Sequence, residues 1–347
     1  MEISVLFDVE SDVGDMICCY LAPDSGSGTP MLRVTCGAEE LAALEANEDR
    51  PSLVAAGRHS TGRCGFRITP EIVPNLAQRP VLELREVQSG LSIYRRRPKE
   101  NIVDHGLLRV DLRHRRDKKL DAYLDGHFQL AFAGVDRWGL ETTLQVFHLK
   151  STRSICISGR LMYKDLEYLA GDAFKKVCVL QDPFVELAET ILSLQEVRSE
   201  ENVDLREQLM FDAAQEYFSF IDLSDAESLA RSLSRLPEPI EAILANPTTR
   251  MLASRSFDQT PNLSYISTSL QTLSSFEIVG IRERPLSYLA PLAELLQRPI
   301  EEIPHEVPAD SVIELADGLR SRRHASRMLD MDLAVYDTVR DAVGSQF

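Results

Sequence analysis

Short apolar runs separated by turn-forming residues fill the first hundred positions of the chain. The runs include ISVLFDV, MICCYLA, MLRVTC, CGFRITP, VLELREV and LSIYRR. Glycine and proline stand between several of them, where they supply turn geometry. Short strands with regular turn signals predict a small β-sandwich domain over residues 1–98. The run AEELAALEAN (38–47) is the exception, and its spacing predicts a short helix.

Toward the C-terminus the pattern changes to short apolar strands that alternate with longer amphipathic segments. Such alternation is typical of a parallel α/β sheet, which we predict for residues 126–347. The predicted strands are TLQVFHL (143–149), KKVCVLQ (175–181) and FEIVGI (276–281). The main predicted helices span 160–171, 183–197, 204–220, 224–235, 286–297 and 326–343. The helix at 183–197 has the clearest start signal, because Asp182 can cap it and Pro183 suits its first position.

A basic segment lies between these two regions. Ten lysines and arginines stand between Arg95 and Lys119, against four acidic residues. We predict that residues 99–125 form a linker or an interdomain surface whose charges are solvated and partly ion-paired. The alternative interpretation is a binding surface for an anionic glycan or phosphosugar.

The amino-acid composition argues against several classes of protein. The 347 residues include 38 basic and 54 acidic ones, which gives a formal net charge of −16. This balance argues against a general nucleic-acid binder and against attraction to anionic lipid surfaces. No apolar stretch reaches the length of a membrane span, and acidic residues stand where a secretory signal would carry lysine or arginine. The six cysteines lie mostly in apolar runs without a C-x-x-C pair, so we expect reduced thiols, no metal and a cytoplasmic protein.

Three segments carry candidate chemistry. Lys150-Ser151-Thr152-Arg153-Ser154 follows the first predicted strand, Gln181-Asp182-Pro183 follows the second, and FEIVGIRER (276–284) contains the third. In this order and spacing they resemble the bacterial and glycan sulfotransferases, which use 3′-phosphoadenosine 5′-phosphosulfate as donor. The segment DRPSLVAAGRHSTGRCGFRI (49–68) is similar to small β-sandwich domains attached to bacterial carbohydrate transferases.

The resemblance implies a P-loop-like α/β core and a donor site at its strand ends. In that site Lys150, Ser151, Thr152, Arg153 and Ser154 would hold the 5′-phosphosulfate, and Gln181 would stand at the 3′-phosphate. Lys150 and His148 are the candidate catalytic residues. An ammonium group neutralises a sulfuryl oxygen, and an imidazole can activate an acceptor hydroxyl. The implied acceptor is a glycan or a small molecule, and protein partners are a further expectation.

Acidic residues occupy the second half of the implied donor site. Gln181 stands where the family has an arginine, and Glu189 where it has a serine. Asp182, Glu186 and Glu189 share one predicted helix face by their spacing, and such a face repels a 3′-phosphate. The sequence therefore leaves three interpretations open. The chain is an active sulfotransferase for a bacterial surface glycan, a degenerate binding or scaffold protein in glycan assembly, or a transferase with another donor such as a nucleotide sugar.

Overall fold

The computed structural model describes residues 5–23, 28–196, 205–223, 226–256 and 259–344 of the chain. Its N-terminal third contains two four-stranded antiparallel sheets whose apolar faces share one buried core. The first sheet runs in the order β1 (Val5–Asp12), β2 (Ile17–Pro23), β6 (Arg63–Ile68) and β5 (Glu48–Asp49). The second runs in the order β4 (Glu39–Glu45), β3 (Met31–Cys36), β7 (Leu82–Glu86) and β8 (Ser92–Arg96). A short helix, α1 (Pro51–Ala55), precedes β6.

Residues 39–45 form strand β4, so the helix predicted at 38–47 is wrong. β4 pairs with β3 across a two-residue turn, with Cys36 opposite Glu39. Gly37 in this turn has a φ of 60°, in the left-handed region that glycine adopts without strain. The helix preference of Glu, Ala and Leu amounts to only a few tenths of a kcal/mol per residue. Cross-strand pairing with β3 overrides it.

A five-stranded parallel sheet forms the centre of the rest of the chain, which confirms the predicted α/β class. Its order is β10 (Leu130–Ala133), β11 (Ile155–Gly159), β9 (Gly106–Val110), β12 (Phe174–Leu180) and β13 (Ile278–Ile281). The predicted strands at 175–181 and 276–281 are confirmed as β12 and β13. All five residues of the central strand β9 are buried, as expected for a strand covered on both faces.

Helices cover both faces of this sheet, and further helices form a cluster of their own. They are α2 (Lys118–His127), α3 (Leu140–His148), α4 (Tyr163–Ala170), α5 (Pro183–Glu196), α6 (Leu205–Ser219), α7 (Ala226–Leu233), α8 (Glu238–Leu244), α9 (Pro247–Ala253), α10 (Ser264–Ser274), α11 (Leu286–Leu296), α12 (Asp310–Arg320), α13 (Arg323–Met328) and α14 (Asp330–Gly344). α2 and α11 pack on one face. α3, α4, α9, α10 and α14 share the core of the other face, which continues into the sandwich. α5 joins α6, α7, α8, α12 and α13 in a separate helical cluster. None of the described helices is long and apolar enough to cross a bilayer.

The segment TLQVFHL is helical, so the strand predicted at 143–149 is wrong. Thr142, Thr143, Val146 and Phe147 are the buried residues of α3, and their spacing marks one helix face. The sequence contains two adjacent apolar β-formers, Val146 and Phe147, but the burial pattern repeats every three to four residues. A run of this length is compatible with either element, and packing against the sandwich decides between them.

Helix α3 also covers the free edge of strand β1. Thr142 Oγ1 accepts a hydrogen bond from the backbone N–H of Val5 at 2.8 Å, and Gln145 Oε1 accepts one from that of Phe7 at 3.1 Å. The Gln145 amide donates to the Phe7 carbonyl. Side chains of the α/β region therefore satisfy backbone groups of an edge strand that would otherwise be available for pairing.

The basic segment is not a linker or a solvated surface. Residues 99–125 contain the central strand β9 and most of α2, so the predicted boundary is wrong there. Arg95 is buried and pairs with Glu83 at 2.7 Å and Asp125 at 2.6 Å. Arg97 Nη1 donates to the carbonyls of Asp125, Gly126 and Phe128 at 2.9–3.1 Å. Because these carbonyls lie at the C-terminal end of α2, the arginine run clamps the helix to the sandwich.

Replacing Arg97 tests this clamp. We expect Arg97→Gln to lower the free energy of unfolding by about 1–3 kcal/mol, because three carbonyls lose a charged donor. Urea unfolding of the full chain measures the change. The control is Arg33→Gln, which removes a half-exposed arginine paired with Glu40 on the sandwich surface. Equal costs in the two variants would show that Arg97 does not hold α2.

Candidate functional site

The carboxyl ends of β9 and β12 form a crevice at the centre of the sheet. These strands are neighbours, and the chain leaves them in opposite directions, from β9 toward β10 and from β12 toward β13. Open α/β sheets bind their ligands at such a switch point. The crevice is therefore the candidate functional site of the α/β region.

The loop after β9 occupies the middle of this crevice. Residues 111–117, DLRHRRD, connect β9 directly to α2. A strand, a loop and a helix N-terminus in this order can hold a phosphate, because backbone N–H groups point at the ligand. The phosphate loops of known nucleotide-binding folds need glycines for this close approach. Loop 111–117 has none.

Arg109 carries a buried charge into the central strand. The residue is 5% exposed, and its guanidinium lies 2.5 Å from Asp121 of α2 and 3.3 Å from Asp111. Ser158 Oγ donates to Asp121 at 2.7 Å. Burial alone would lower the pKa of Arg109, but Asp111 and Asp121 outweigh it and raise that pKa. The pair therefore stays ionised inside the fold.

Two of the three arginines of the loop, and the N-terminus of α2, are also bound by carboxylates of the chain. Arg113 lies 3.4 Å from Asp117 and 3.8 Å from Asp111, and Arg116 lies 2.9 Å from Asp121. Asp117 Oδ1 accepts from the backbone N–H of Leu120 at 2.9 Å and so caps α2. Arginines and a helix N-terminus attract anions, and here Asp111, Asp117 and Asp121 already fill that role.

Loop 111–117 separates two cavities. The first, which we call the α2-side cavity, encloses about 40 Å³ between the loop, α11 and residues 304–306. Its charged lining consists of three arginines and three acids, namely Arg109, Arg113, Arg282, Asp111, Asp117 and Glu306. Arg109 Nε and the Tyr288 hydroxyl are buried there without a partner among the described residues. The cavity has room for one or a few waters, whereas small-molecule sites enclose roughly 300–1,000 Å³.

The second cavity, the α5-side cavity, encloses about 10 Å³ beside Glu186. Glu186 Oε1 accepts from the backbone N–H of His114 at 2.6 Å, whereas Oε2 is buried without a partner among the described residues. Burial, reinforced by Glu189, raises the pKa of Glu186 to about 7 against the opposing effects of His114, Arg160 and Arg113. Burial and nearby Arg160 lower the pKa of His114 to about 3.

The structure does not bring the residues of the implied donor site together. Lys150, Ser151, Thr152, Arg153 and Ser154 lie between α3 and β11, at the amino edge of the parallel sheet. Ser154 is buried and accepts from the backbone of Gln129, whereas Lys150 and Arg153 are exposed.

Gln181 follows β12 at the opposite, carboxyl edge. A five-residue strand spans about 16 Å, so Gln181 and Lys150 cannot touch one ligand phosphate. His148 is the exposed last residue of α3 rather than part of a strand.

The acidic face predicted on α5 is largely paired. Arg282 Nη1 lies 2.8 Å from Glu189, and Gln181 donates to the same carboxylate at 3.1 Å. Arg320 lies 2.8 Å from Asp182, which also caps α5 through the N–H of Phe184. The confirmed start of α5 at Pro183 thus rests on the predicted Asp182 cap.

Loop 111–117 was not expected from the sequence to be part of a site. The signal was present, since the apolar run GLLRV precedes Asp117, a good helix cap, and the amphipathic stretch LDAYL. The surrounding lysines and arginines favoured a different interpretation, because a basic run is more often a solvated surface.

Replacing Arg109 tests whether its ion pairs stabilise the fold. We expect Arg109→Met to lower the free energy of unfolding by about 3–5 kcal/mol, because Asp111 and Asp121 remain buried without their partner. The double variant Arg109→Met/Asp121→Asn removes one of those carboxylates and recovers part of the loss. Chemical denaturation of both variants measures the two changes. If Arg109→Met is as stable as the wild type, the ion pairs of Arg109 do not stabilise the fold.

The raised pKa of Glu186 makes stability depend on pH. The folded protein binds the proton more tightly than the unfolded chain, so this stabilisation is lost as the pH rises from about 4.5 toward 7. Glu186→Gln keeps the acceptor for His114 and stays uncharged. We expect this variant to gain about 2–3 kcal/mol on the wild type between pH 5 and pH 8. Urea unfolding across this range measures the gain. The substitution of the exposed Glu314, Glu314→Gln, serves as control. If the free energy of unfolding of both variants depends on pH in the same way, the pKa of Glu186 is not raised.

Comparison with known proteins does not assign the chain to a family. No protein-family model matches it, and no curated protein matches it significantly. Within the described residues, no group of three or more His, Cys, Asp and Glu side chains could hold a metal ion. Only the geometry of the crevice and the sequence resemblance therefore bear on the function of the chain.

Proposed function

We propose that the chain is a sulfotransferase-like protein that no longer binds the sulfuryl donor and acts as a binding or scaffold component in glycan assembly. Two of the resembling segments support the relationship by their position. Gln181-Asp182-Pro183 follows β12, and FEIVGIRER contains β13, its neighbour in the parallel sheet. The strand, loop and helix formed by β9, residues 111–117 and α2 are compatible with a P-loop-like core.

Loss of donor binding rests on one observation: carboxylates of the chain already pair with Arg113 and Arg116 and cap α2. The donor carries several negative charges on its two phosphate-bearing ends. To bind at the loop, it would have to displace Asp117 from the N-terminus of α2 and separate Arg113 from Asp111 and Asp117. Breaking a buried ion pair costs about 3–5 kcal/mol when one partner stays uncompensated. The residues present therefore do not fit the donor.

The positions of the candidate catalytic residues favour the same proposal. Transfer requires the donor and the base to meet at one place. Lys150 and His148 lie on the amino side of the sheet, away from the crevice at the carboxyl ends of β9 and β12. Neither residue can act on a ligand held by loop 111–117.

Calorimetric titration with 3′-phosphoadenosine 5′-phosphate, the desulfated donor, tests the proposal. We expect no saturable heat with the full chain at millimolar ligand, because carboxylates of the chain already occupy Arg113, Arg116 and the N-terminus of α2. A parallel titration with uridine diphosphate covers the nucleotide-sugar alternative, and we expect no binding there either.

Micromolar binding of either nucleotide would contradict the proposal. Two variants then identify the site involved. Binding that is lost in Arg113→Gln and kept in Lys150→Ala would place a working donor site at loop 111–117. The reverse result would place it at the amino edge, where the sequence resemblance implies it.

A further inference from the structure

Arg160 and Arg250 are two arginines that have no carboxylate partner. Arg160 follows β11 at the carboxyl edge of the sheet, and Arg250 lies in α9. Neither guanidinium forms an ion pair with a described residue, and the Nε atoms of both are buried without a hydrogen-bond acceptor among those residues. A buried charge without a counter-charge is costly, so this arrangement points to an anion supplied from solution.

The two arginines repel each other. Arg250 is 5% exposed, and burial, reinforced by repulsion from Arg160, lowers its pKa although Asp332 opposes this. The carboxylate of Asp332 is already bound, because it accepts from the backbone N–H groups of Thr248 and Thr249 at 3.0 and 2.7 Å. An anion beside Arg160 would relieve the repulsion, since the chain provides no carboxylate there.

The α5-side cavity separates Arg160 from Glu186. Both residues line it, but they do not form an ion pair with each other. Glu186 is 5% exposed, and its Oε2 atom has no partner among the described residues. Apolar side chains form most of the remaining wall, namely Pro183, Leu187, Ile243, Leu244, Pro247 and Leu329. Arg160 is half-buried, so an ion can reach the cavity from solvent.

We propose that the α5-side cavity binds a single chloride ion, with Arg160 as its cationic partner and the protonated carboxyl group of Glu186 as its hydrogen-bond donor. The volume of about 10 Å³ admits one particle of the size of a water molecule. Chloride is the abundant anion closest to that size, and it accepts from a guanidinium and from an O–H group at once. A water molecule would fill the same space but would leave Arg160 without a counter-charge.

The chloride site is independent of the proposed loss of donor binding. The phosphates of a nucleotide are too large for the cavity, so a titration with 3′-phosphoadenosine 5′-phosphate does not report on it. From loop 111–117 only His114 lines the cavity, and its backbone N–H donates to Glu186. The failure of either proposal therefore leaves the other one standing.

Chloride binding should be linked to a proton on Glu186. The charged or titratable groups that face this side chain are Glu189 on its own helix, Arg113 and His114 on the loop, and Arg160 after β11. Burial raises the pKa of Glu186 to about 7, so its protonated form falls from the major to the minor species between pH 6 and pH 8. The ionised carboxylate repels chloride, and the apparent affinity for chloride should fall about tenfold over this range.

Broadening of the ³⁵Cl NMR signal by the full chain measures chloride binding. We titrate sodium chloride at an ionic strength held constant with sodium gluconate, whose anion is too large for the cavity. We expect saturable broadening with a dissociation constant about tenfold lower at pH 6 than at pH 8. Glu186→Gln should bind chloride equally at both pH values, because its amide donates without titrating.

Replacing Arg160 tests the cationic partner. Arg160→Gln should abolish the saturable broadening, whereas Arg160→Lys should weaken it without abolishing it, because a positive charge remains. The matched control is Arg153→Gln, which removes an exposed arginine at the amino edge and should leave the broadening unchanged. Circular dichroism of each variant shows that a lost signal does not come from unfolding.

Three results would overturn the proposal. The first is the absence of saturable broadening with the wild-type chain, which would mean that the cavity holds only a water molecule. The second is saturable broadening that survives Arg160→Gln. The third is displacement of bound chloride by inorganic phosphate as readily as by bromide, which would indicate an open cationic surface instead of a cavity for one small ion. The first and third results need no variant.

Discussion

A charged pair inside the central strand determines how the crevice is built. Arg109 and Asp111 lie at the end of β9, and Asp121 reaches them from the first turn of α2. Since water is excluded there, each charge needs its partner, and the pair fixes where α2 starts relative to the strand. Loop 111–117 is therefore shaped by the requirements of the chain itself. The cavities on its two sides differ in charge. The α2-side cavity is lined by equal numbers of arginines and acidic residues, whereas Arg160 at the α5-side cavity forms no ion pair with a described residue.

The elements predictable from the sequence were those with strong local signals. β12, α5 and β13 have continuous apolar runs or a clear cap, and the parallel α/β class follows from their alternation. The β4 and α3 segments failed because their apolar spacing suits either element, and the partner strand or helix decides. Strand β3 is next to β4 along the chain, but the choice of strand over helix there depends on the complete core. The partner of α3, strand β1, is distant in sequence.

The candidate site was harder to predict because the order of its residues along the chain does not show how the fold arranges them. Lys150 and Gln181 follow apolar runs, but one run is a helix and the other is a strand, so they lie at opposite edges. Arg109 reads as part of a basic surface, whereas the fold encloses it with two aspartates. The pairing of charges across 12 residues or more is set by topology, which the sequence pattern alone does not contain.

The hydrogen bonds from α3 to β1 bear on whether the sandwich is a module. Thr142 and Gln145 complete the backbone bonding of Val5 and Phe7, and one apolar core runs from the sandwich into the parallel sheet. A fragment that ends near residue 98 would carry an open strand and a bare apolar face, both of which favour self-association. The two regions thus share one core, and a cut between them would expose apolar surface on both sides.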